Sequence, residues 1–329
     1  MSVQQLVRAC VFALVLFACN AQAERIFRVG SPWPSSSTPH VGVARFGQEL
    51  EKLSKGQLKA QVYPDNQLGD IQALVTAVQT GTVDIAYLGV ANAGVLKGGG
   101  PLNVVYVPYL FKNKQVVPEI VNGPLFQEMY DTLAKESNVR VFAAYGSRLP
   151  RAINTTKGPI VKPSDVKGLK LRVPPIEILR ATWETLGAKP VVMGLGDIYM
   201  GISRGQIDGQ ENGFDATIGY KWYEVTKYYS STDHVYEVAA YYINEKLWQS
   251  LSAPEKQQLI QAARIGGEAM TKAGEDLEKE GIETLKKAGL TVTVPDREAF
   301  RAALKDVHKR YEGKLWPVGL VDKIRALQK

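Results

Sequence analysis

Two cysteines and three histidines are few for 329 residues, and where they stand excludes more than their number does. Cys10 and Cys19 both fall within residues 1–23. A chain without that segment holds no thiol, which removes disulfides, thiolate nucleophiles and cysteine-based metal sites together. His40, His234 and His308 are far apart, and no H-E-x-x-H pair sets two of them on one helix face. A G-x-S-x-G elbow and a P-loop are also missing. Gly194-Leu195-Gly196 lacks the spacing of a dinucleotide fingerprint, and Gly98-Gly99-Gly100 has no Lys-Ser/Thr behind it. Asp65 and Asp70 lack the flanking acids of a calcium loop. After residue 23 no run is long and apolar enough for a bilayer span. These absences weigh against an enzyme and leave no cofactor and no metal to expect. The net charge is +7, but its lysines are scattered and no basic run interleaves with aromatics, so nucleic acid is not an expected partner. A mild positive field does attract small anions.

What the chain does have begins at its start. Arg8 precedes an apolar run, Ala9 to Ala18, and Asn20-Ala21-Gln22-Ala23 follows. A basic flank, a short apolar stretch and an A-x-A ending predict a secretory signal over 1–23, cleaved after Ala23, which sends the remaining chain to the periplasm. Leu16-Phe17-Ala18-Cys19 offers a lipoprotein alternative with Cys19 lipidated, which Phe17 fits poorly.

From Ile26 the chain alternates short β-branched runs with amphipathic ones. Arg25–Val29, Leu58–Tyr63 and Val83–Leu88 read as strands. His40–Leu53 reads as a helix with Val41, Ala44, Leu50 and Leu53 near one face, and Ile71–Thr80 as a second ending at Gly81. This alternation predicts an α/β fold with a largely parallel sheet. The pattern recurs: Val78-Gln79-Thr80-Gly81-Thr82-Val83-Asp84 is echoed by Ile202-Ser203-Arg204-Gly205-Gln206-Ile207-Asp208. Each reads as a helix end, a left-handed glycine and a strand opening, which suggests two lobes built alike. Ser252-Ala253-Pro254-Glu255 is a helix start with a capping box. The run that follows reaches Lys287 before Gly289, either as one long helix bracing both lobes or as two broken near Gly266-Gly267.

Lys167 to Pro174 reads as a turn and a short strand, with Leu169, Leu171 and Val173 on one face and Lys170 and Arg172 on the other. An arginine at a strand end beside a proline can point into a cleft and hold a carboxylate by two parallel hydrogen bonds. On these residues alone a solvated strand arginine fits as well. Asp197 stands where a short acid can cap the next helix.

After this strand come Leu186-Gly187-Ala188-Lys189-Pro190-Val191-Val192-Met193, Asp197-Ile198-Tyr199, Gly205 to Asn212 and Trp222-Tyr223-Glu224-Val225. Gln67-Leu68-Gly69-Asp70 and Pro108-Tyr109-Leu110-Phe111 stand upstream. In this order, over nearly all of the chain after residue 23, the set resembles the DctP-type solute-binding proteins of tripartite ATP-independent periplasmic (TRAP) transporters. The resemblance implies a two-lobe periplasmic-binding-protein fold, type II-like, with a long bridging helix. Lobe I would comprise 24–148 plus about 238–277, and lobe II 149–237 plus about 278–329. It implies a binder of a small organic acid, not an enzyme, that acts as a monomer and serves a sodium-coupled permease of one small and one large membrane subunit. An ATP-driven importer or a sensor kinase would leave the binding chemistry unchanged, and a periplasmic enzyme acting on acids is the further alternative.

By the same resemblance Arg172 pairs with the ligand carboxylate and Asn212 donates to it. Arg151 is the second arginine, with Arg148 as the fallback. Leu195 falls at a pocket position, and Asp70 and Tyr236 join the site. Where the family pattern has proline after the asparagine, this chain has Gly213 and Phe214, the latter facing either cleft or core. Trp33 follows the first strand, and the loop Tyr87 to Asn92 follows the third; open α/β sheets bind ligands at such carboxyl ends. Neither loop contains an acid, which favours a plain or hydroxylated acid, with an apolar or aromatic body, over an amino acid.

Overall fold

The structure, a computed structural model, describes residues 24–328. The secretory signal, its cleavage after Ala23 and the lipidation of Cys19 therefore lie outside the described residues. Among the described residues no helix is long and apolar enough to cross a membrane.

Among the described residues eleven strands form two sheets. They are β1 Arg25–Gly30, β2 Leu58–Tyr63, β3 Ile85–Gly89, β4 Val139–Ala143, β5 Arg151–Thr155, β6 Lys170–Val173, β7 Lys189–Val192, β8 Gly209–Gly213, β9 Tyr228–Ser230, β10 Ala239–Asn244 and β11 Thr291–Thr293. The first sheet runs β2-β1-β3-β10-β4 and the second β11-β9-β5-β8-β6-β7. In the first, β1 pairs in parallel with β2 and β3, and β10 is antiparallel to β3. In the second, β6 pairs in parallel with β7 and β8, and β5 is antiparallel to β8. The two lobes thus repeat one strand order. Between them the chain runs out through 144–150 and back through 231–238, joined by a bridge from Ser147 to Val238.

The repeated motif has a physical reason in each lobe. Gly81 and Gly205 both take left-handed backbone, at φ 80° and 68°, closing the preceding helix. Asp84 Oδ2 then accepts from the backbone N–H of Arg28 at 2.8 Å, and Asp208 Oδ2 from that of Lys170 at 2.9 Å. Each acid satisfies a strand donor that the ladder leaves unpaired.

Helix α1, Thr38–Leu53, buries Gly42, Val43, Phe46 and Leu50. The sequence expectation put Val41 on the buried face, but Val41 is 44% exposed. The face is set by a neighbour in space: a Cβ at Gly42 would strike Met270. Helix α2, Ile71–Thr80, is capped by Asp70, whose Oδ1 accepts from Ala73 N–H at 2.9 Å. Helix α3 spans Glu177–Thr185 and follows β6.

Helix α4, Ala253–Lys287, is a single unbroken helix of 35 residues. Its capping box is formed: Glu255 Oε2 accepts from Ser252 N–H at 2.7 Å, and Ser252 Oγ accepts from Glu255 N–H. Gly266 and Gly267 do not break it, because they serve close approach. A Cβ at Gly266 would meet the Gly42 carbonyl, and one at Gly267 would meet Tyr145 and the Gly146 nitrogen. Further along, Gly281 lies against the Phe214 ring. One helix therefore touches lobe I, the crossing segment and lobe II in turn.

Candidate functional site

The carboxyl ends of the parallel strands β1, β3, β6 and β7 face one another across the crossing segments. Between them lie an inner cavity of about 30 Å³ and an outer one of about 440 Å³. Ile71, Asn92, Arg172, Pro174, Ile176 and Leu195 line both, so the two spaces adjoin. Lobe I supplies Trp33 and Asn92 from the loops after β1 and β3, as expected. Tyr87 and Leu88 belong to β3 itself rather than to that loop; Tyr87 is fully buried under Trp33, with ring centroids 5.2 Å apart. Tyr220 of lobe II donates to the Pro32 carbonyl of lobe I at 2.8 Å, so the lobes already touch along one side.

Three buried arginines stand at the inner end, and their partners separate them. Arg151 Nε and Nη2 hold the Glu211 carboxylate at 2.7 and 2.8 Å, and Nη1 reaches Glu237 at 3.0 Å. Arg148 holds Asp215 at 3.0 Å and Glu237 at 2.9 Å, and donates to Asn212 Oδ1 at 3.2 Å. Glu237 also accepts from the Tyr106 hydroxyl at 2.6 Å. Burial alone would lower both arginine pKa values, but the surrounding carboxylates reverse this and raise them. Burial likewise pushes Glu211 up, and Arg151 and His234 overcome it, holding Glu211 at about 2. His234 Nε2 lies 3.0 Å from Glu211, and its burial keeps the imidazole pKa below the usual value.

Arg172 differs. It is 2% exposed, its Nε donates to the Met193 carbonyl at 2.9 Å, and among the described residues no carboxylate stands within ion-pair distance. Burial, only partly offset by the more distant Glu211, lowers its pKa to about 10, so it remains a cation at neutral pH. Among the described residues its two terminal nitrogens have no hydrogen-bond partner, and the residue lines both cavities. Asn212 is committed through Oδ1, which accepts from Gly213 N–H at 2.9 Å and from Arg148; this leaves its amide nitrogen as a donor on the inner cavity. A cationic fork, an amide donor and a small space beside them suit a carboxylate. Among the described residues no group of three side chains is arranged to hold a metal ion.

The structure brings Arg172, Asn212, Arg151, Trp33, Asn92 and Leu195 to the inner cavity, and Arg148 with them. Asp70 lines the outer cavity, with one oxygen engaged in capping. Phe214 lines neither: it packs edge-on against Tyr229 at 5.3 Å and against Gly281, the core reading of its two. Tyr236 is also absent from both linings; its neighbour Glu237 takes the inward position, because successive residues of an extended segment point to opposite sides. Asp197 makes no capping hydrogen bond, since its own backbone is already helical. Sequence reasoning missed Glu237, Asp215 and Tyr106, which no local motif marks. It also missed Glu177, an acid on the outer cavity's rim that pairs with Arg180 at 3.1 Å.

The sequence matches bacterial extracellular solute-binding protein, family 7 (DctP), over residues 29–314. A solute-binding protein of Roseobacter denitrificans is 30% identical over 298 residues, 90% of either chain. Among solved structures, a TRAP periplasmic solute binding protein from Ochrobacterium anthropi with bound L-fuconate is 27% identical, with TM-score 0.86 over 93% of this chain and 100% of that one. Another, from Bordetella bronchispeptica with density assigned to pantoate, is 26% identical, with TM-score 0.85 and the same coverage.

Proposed function

The chain belongs to the DctP family of bacterial extracellular solute-binding proteins, and from that premise we propose that it captures a small organic acid and delivers it to a sodium-coupled TRAP permease. The observation that carries this reading is Arg172, a buried cation at the cavity with no ion-pair partner among the described residues. Burying a charge without a partner is costly, and a ligand carboxylate supplies the partner that the chain withholds. Arg148 and Arg151, already neutralised, hold Asn212 and the crossing segments in place around it.

In the cycle we propose, the acid enters the open cleft, and Arg172 and Asn212 take its carboxylate. Trp33 and Asn92 then close over it from lobe I. The ligand thereby favours the closed form by its differential affinity for the two states, and the closed form is what the permease reads. The small and large membrane subunits, the periplasmic address and the removal of residues 1–23 belong to the same proposal.

The test is titration calorimetry against a panel of small acids, with sugars and amines as controls. We expect an acid to bind, and Arg172→Ala to lose at least roughly a hundredfold in affinity, the equivalent of about 3 kcal/mol. A folded Arg172→Ala protein that keeps its affinity would sink the assignment.

A further inference from the structure

We propose that Arg148, Asp215 and Gly213 act together as a positioning unit that fixes the Asn212 side-chain amide one way round, with its NH2 group facing the cavity. This rests on the carboxylate reading above and adds the residues that give the amide its direction.

A carboxamide has a donor end and an acceptor end of nearly equal size, so its neighbours decide which way it points. At Asn212 they leave one choice. Its Oδ1 accepts from the Gly213 backbone N–H at 2.9 Å and from Arg148 Nη2 at 3.2 Å, with Arg151 Nη1 beside them at 3.5 Å. Turned round, the NH2 group would face three N–H donors, and the oxygen would face the ligand carboxylate. As it stands, Asn212 can only donate toward the cavity, which suits a carboxylate oxygen and disfavours an ammonium group.

Arg148 is itself held. Its Nε and Nη2 take the two oxygens of Asp215 at 3.0 and 3.2 Å, its Nη1 reaches Glu237 at 2.9 Å, and both Arg148 and Asp215 are buried. A planar fork with every nitrogen engaged has little freedom to turn away from Asn212. Gly213 permits this arrangement in two ways. The proline that the family pattern places after the asparagine has no N–H to give Oδ1. A Cβ at 213 would also strike Asp215 Oδ1 and the Leu149 carbonyl and crowd Arg148 Nη2. Arginine, glycine and aspartate therefore depend on one another, although Arg148 stands in the outgoing crossing segment and the other two where β8 meets the short helix Phe214–Gly219. The Trp33 ring of lobe I lies 5.7 Å from the Arg148 guanidinium carbon. The residue that fixes the donor thus also meets the wall proposed to close on the ligand.

The experiment has two arms. The first follows the Asn212 side-chain amide by nitrogen–proton correlation NMR on the protein without added acid, its signal identified by its loss in Asn212→Ala. The wild type should show one sharp amide pair. Arg148→Lys keeps the charge but replaces the fork with a single ammonium group, and should broaden or split that pair as the amide samples both directions. Asp215→Asn, which leaves Arg148 in place, should act in the same direction and serves if the lysine variant does not fold. The second arm titrates acetate, lactate and phenylacetate by calorimetry. Arg148→Lys should weaken the acids that bind by at least roughly fivefold in the wild type, and by less than about twofold in Asn212→Ala, where there is no amide to direct. A purely structural arginine would cost the same in both backgrounds. An unchanged amide pair in both variants, or equal losses in the two backgrounds, overturns the inference and leaves carboxylate capture standing. Failure of all three acids to bind, with the amide pair responding as expected, overturns the capture reading and leaves the positioning unit in place.

Discussion

Lobe I orders its strands β2-β1-β3 with β10 antiparallel beside them, and lobe II orders its own β7-β6-β8 with β5 antiparallel beside them. Each uses a left-handed glycine and an aspartate to join its third strand to its first. At the cleft the likeness stops. Lobe I brings Trp33, Ile71 and Asn92, all uncharged, whereas Arg172, Asn212 and the Arg151–Glu211 pair come from lobe II. A repeated backbone thus carries two different chemistries, because topology decides where strand ends meet and side chains decide what happens there. On the proposed reading, one lobe would recognise charge, and the other would supply the wall that closes on it.

Breaking the charged side of this comparison should have the largest effect. Arg151→Met leaves Glu211 and Glu237 buried with one cation fewer, and should cost about 3–5 kcal/mol in a urea unfolding titration. A cost near zero would mean that the network does not depend on this cation.

Acid should act on the same lobe. Glu211, held at about 2 in the folded chain against an ordinary 4.5, contributes stability above about pH 4.5 that is lost as the pH falls toward 2. His234, held below 6.5, has the same sign: the unfolded imidazole takes a proton that the folded one refuses, so stability falls as the pH drops below 6.5. Asp233, raised by burial to about 6, opposes them between 6 and 3.8, where the folded chain binds the extra proton. Melting temperatures measured from pH 7.5 to 3 should therefore decline. In Glu211→Gln the limb below pH 4.5 should be flatter; an unchanged limb would assign the acid lability elsewhere.

The bridging helix permits a sharper test along one element. Gly267→Ala forces a methyl into Tyr145 and the Gly146 nitrogen, and should cost about 1–3 kcal/mol. Gly274→Ala meets only Leu149 at ordinary contact distance, and alanine's helix preference should stabilise the chain by about 0.5–1 kcal/mol. Thermal unfolding of both variants should show shifts of opposite sign. The smallest effect probes the repeat: Asp84→Ala and Asp208→Ala each lose one acceptor for a strand N–H and should each cost about 1 kcal/mol. Clearly unequal costs would show that the two motifs share geometry but not energetics.

Much of the fold was legible because its signals are local. Gly81 after Thr80 and the Ser252–Glu255 pair act within one helical turn, and both stand where expected. The buried face of α1 was not legible, since Gly42 rather than Val41 faces inward only because α4 packs there. The site divides in the same way. Arg172 could be placed at a strand end from its own alternation. Phe214 was left open between cleft and core, and Tyr236 was misplaced, because a side chain's direction in a short connection depends on what packs beside it.

The sequence by itself determined the alternation of strands and helices, the helix ends at Gly81 and at Ser252–Glu255, and the presence of an arginine at the end of β6, because each is governed by residues a few positions apart. Which of three arginines has no carboxylate partner among the described residues was decided only by the tertiary structure. Arg151 meets Glu211 and Glu237 at separations of 60 and 86 residues, and Arg148 meets Asp215 and Glu237 at 67 and 89. A charge is neutralised by whatever folding brings within a few ångströms, and no spacing along the chain encodes that distance.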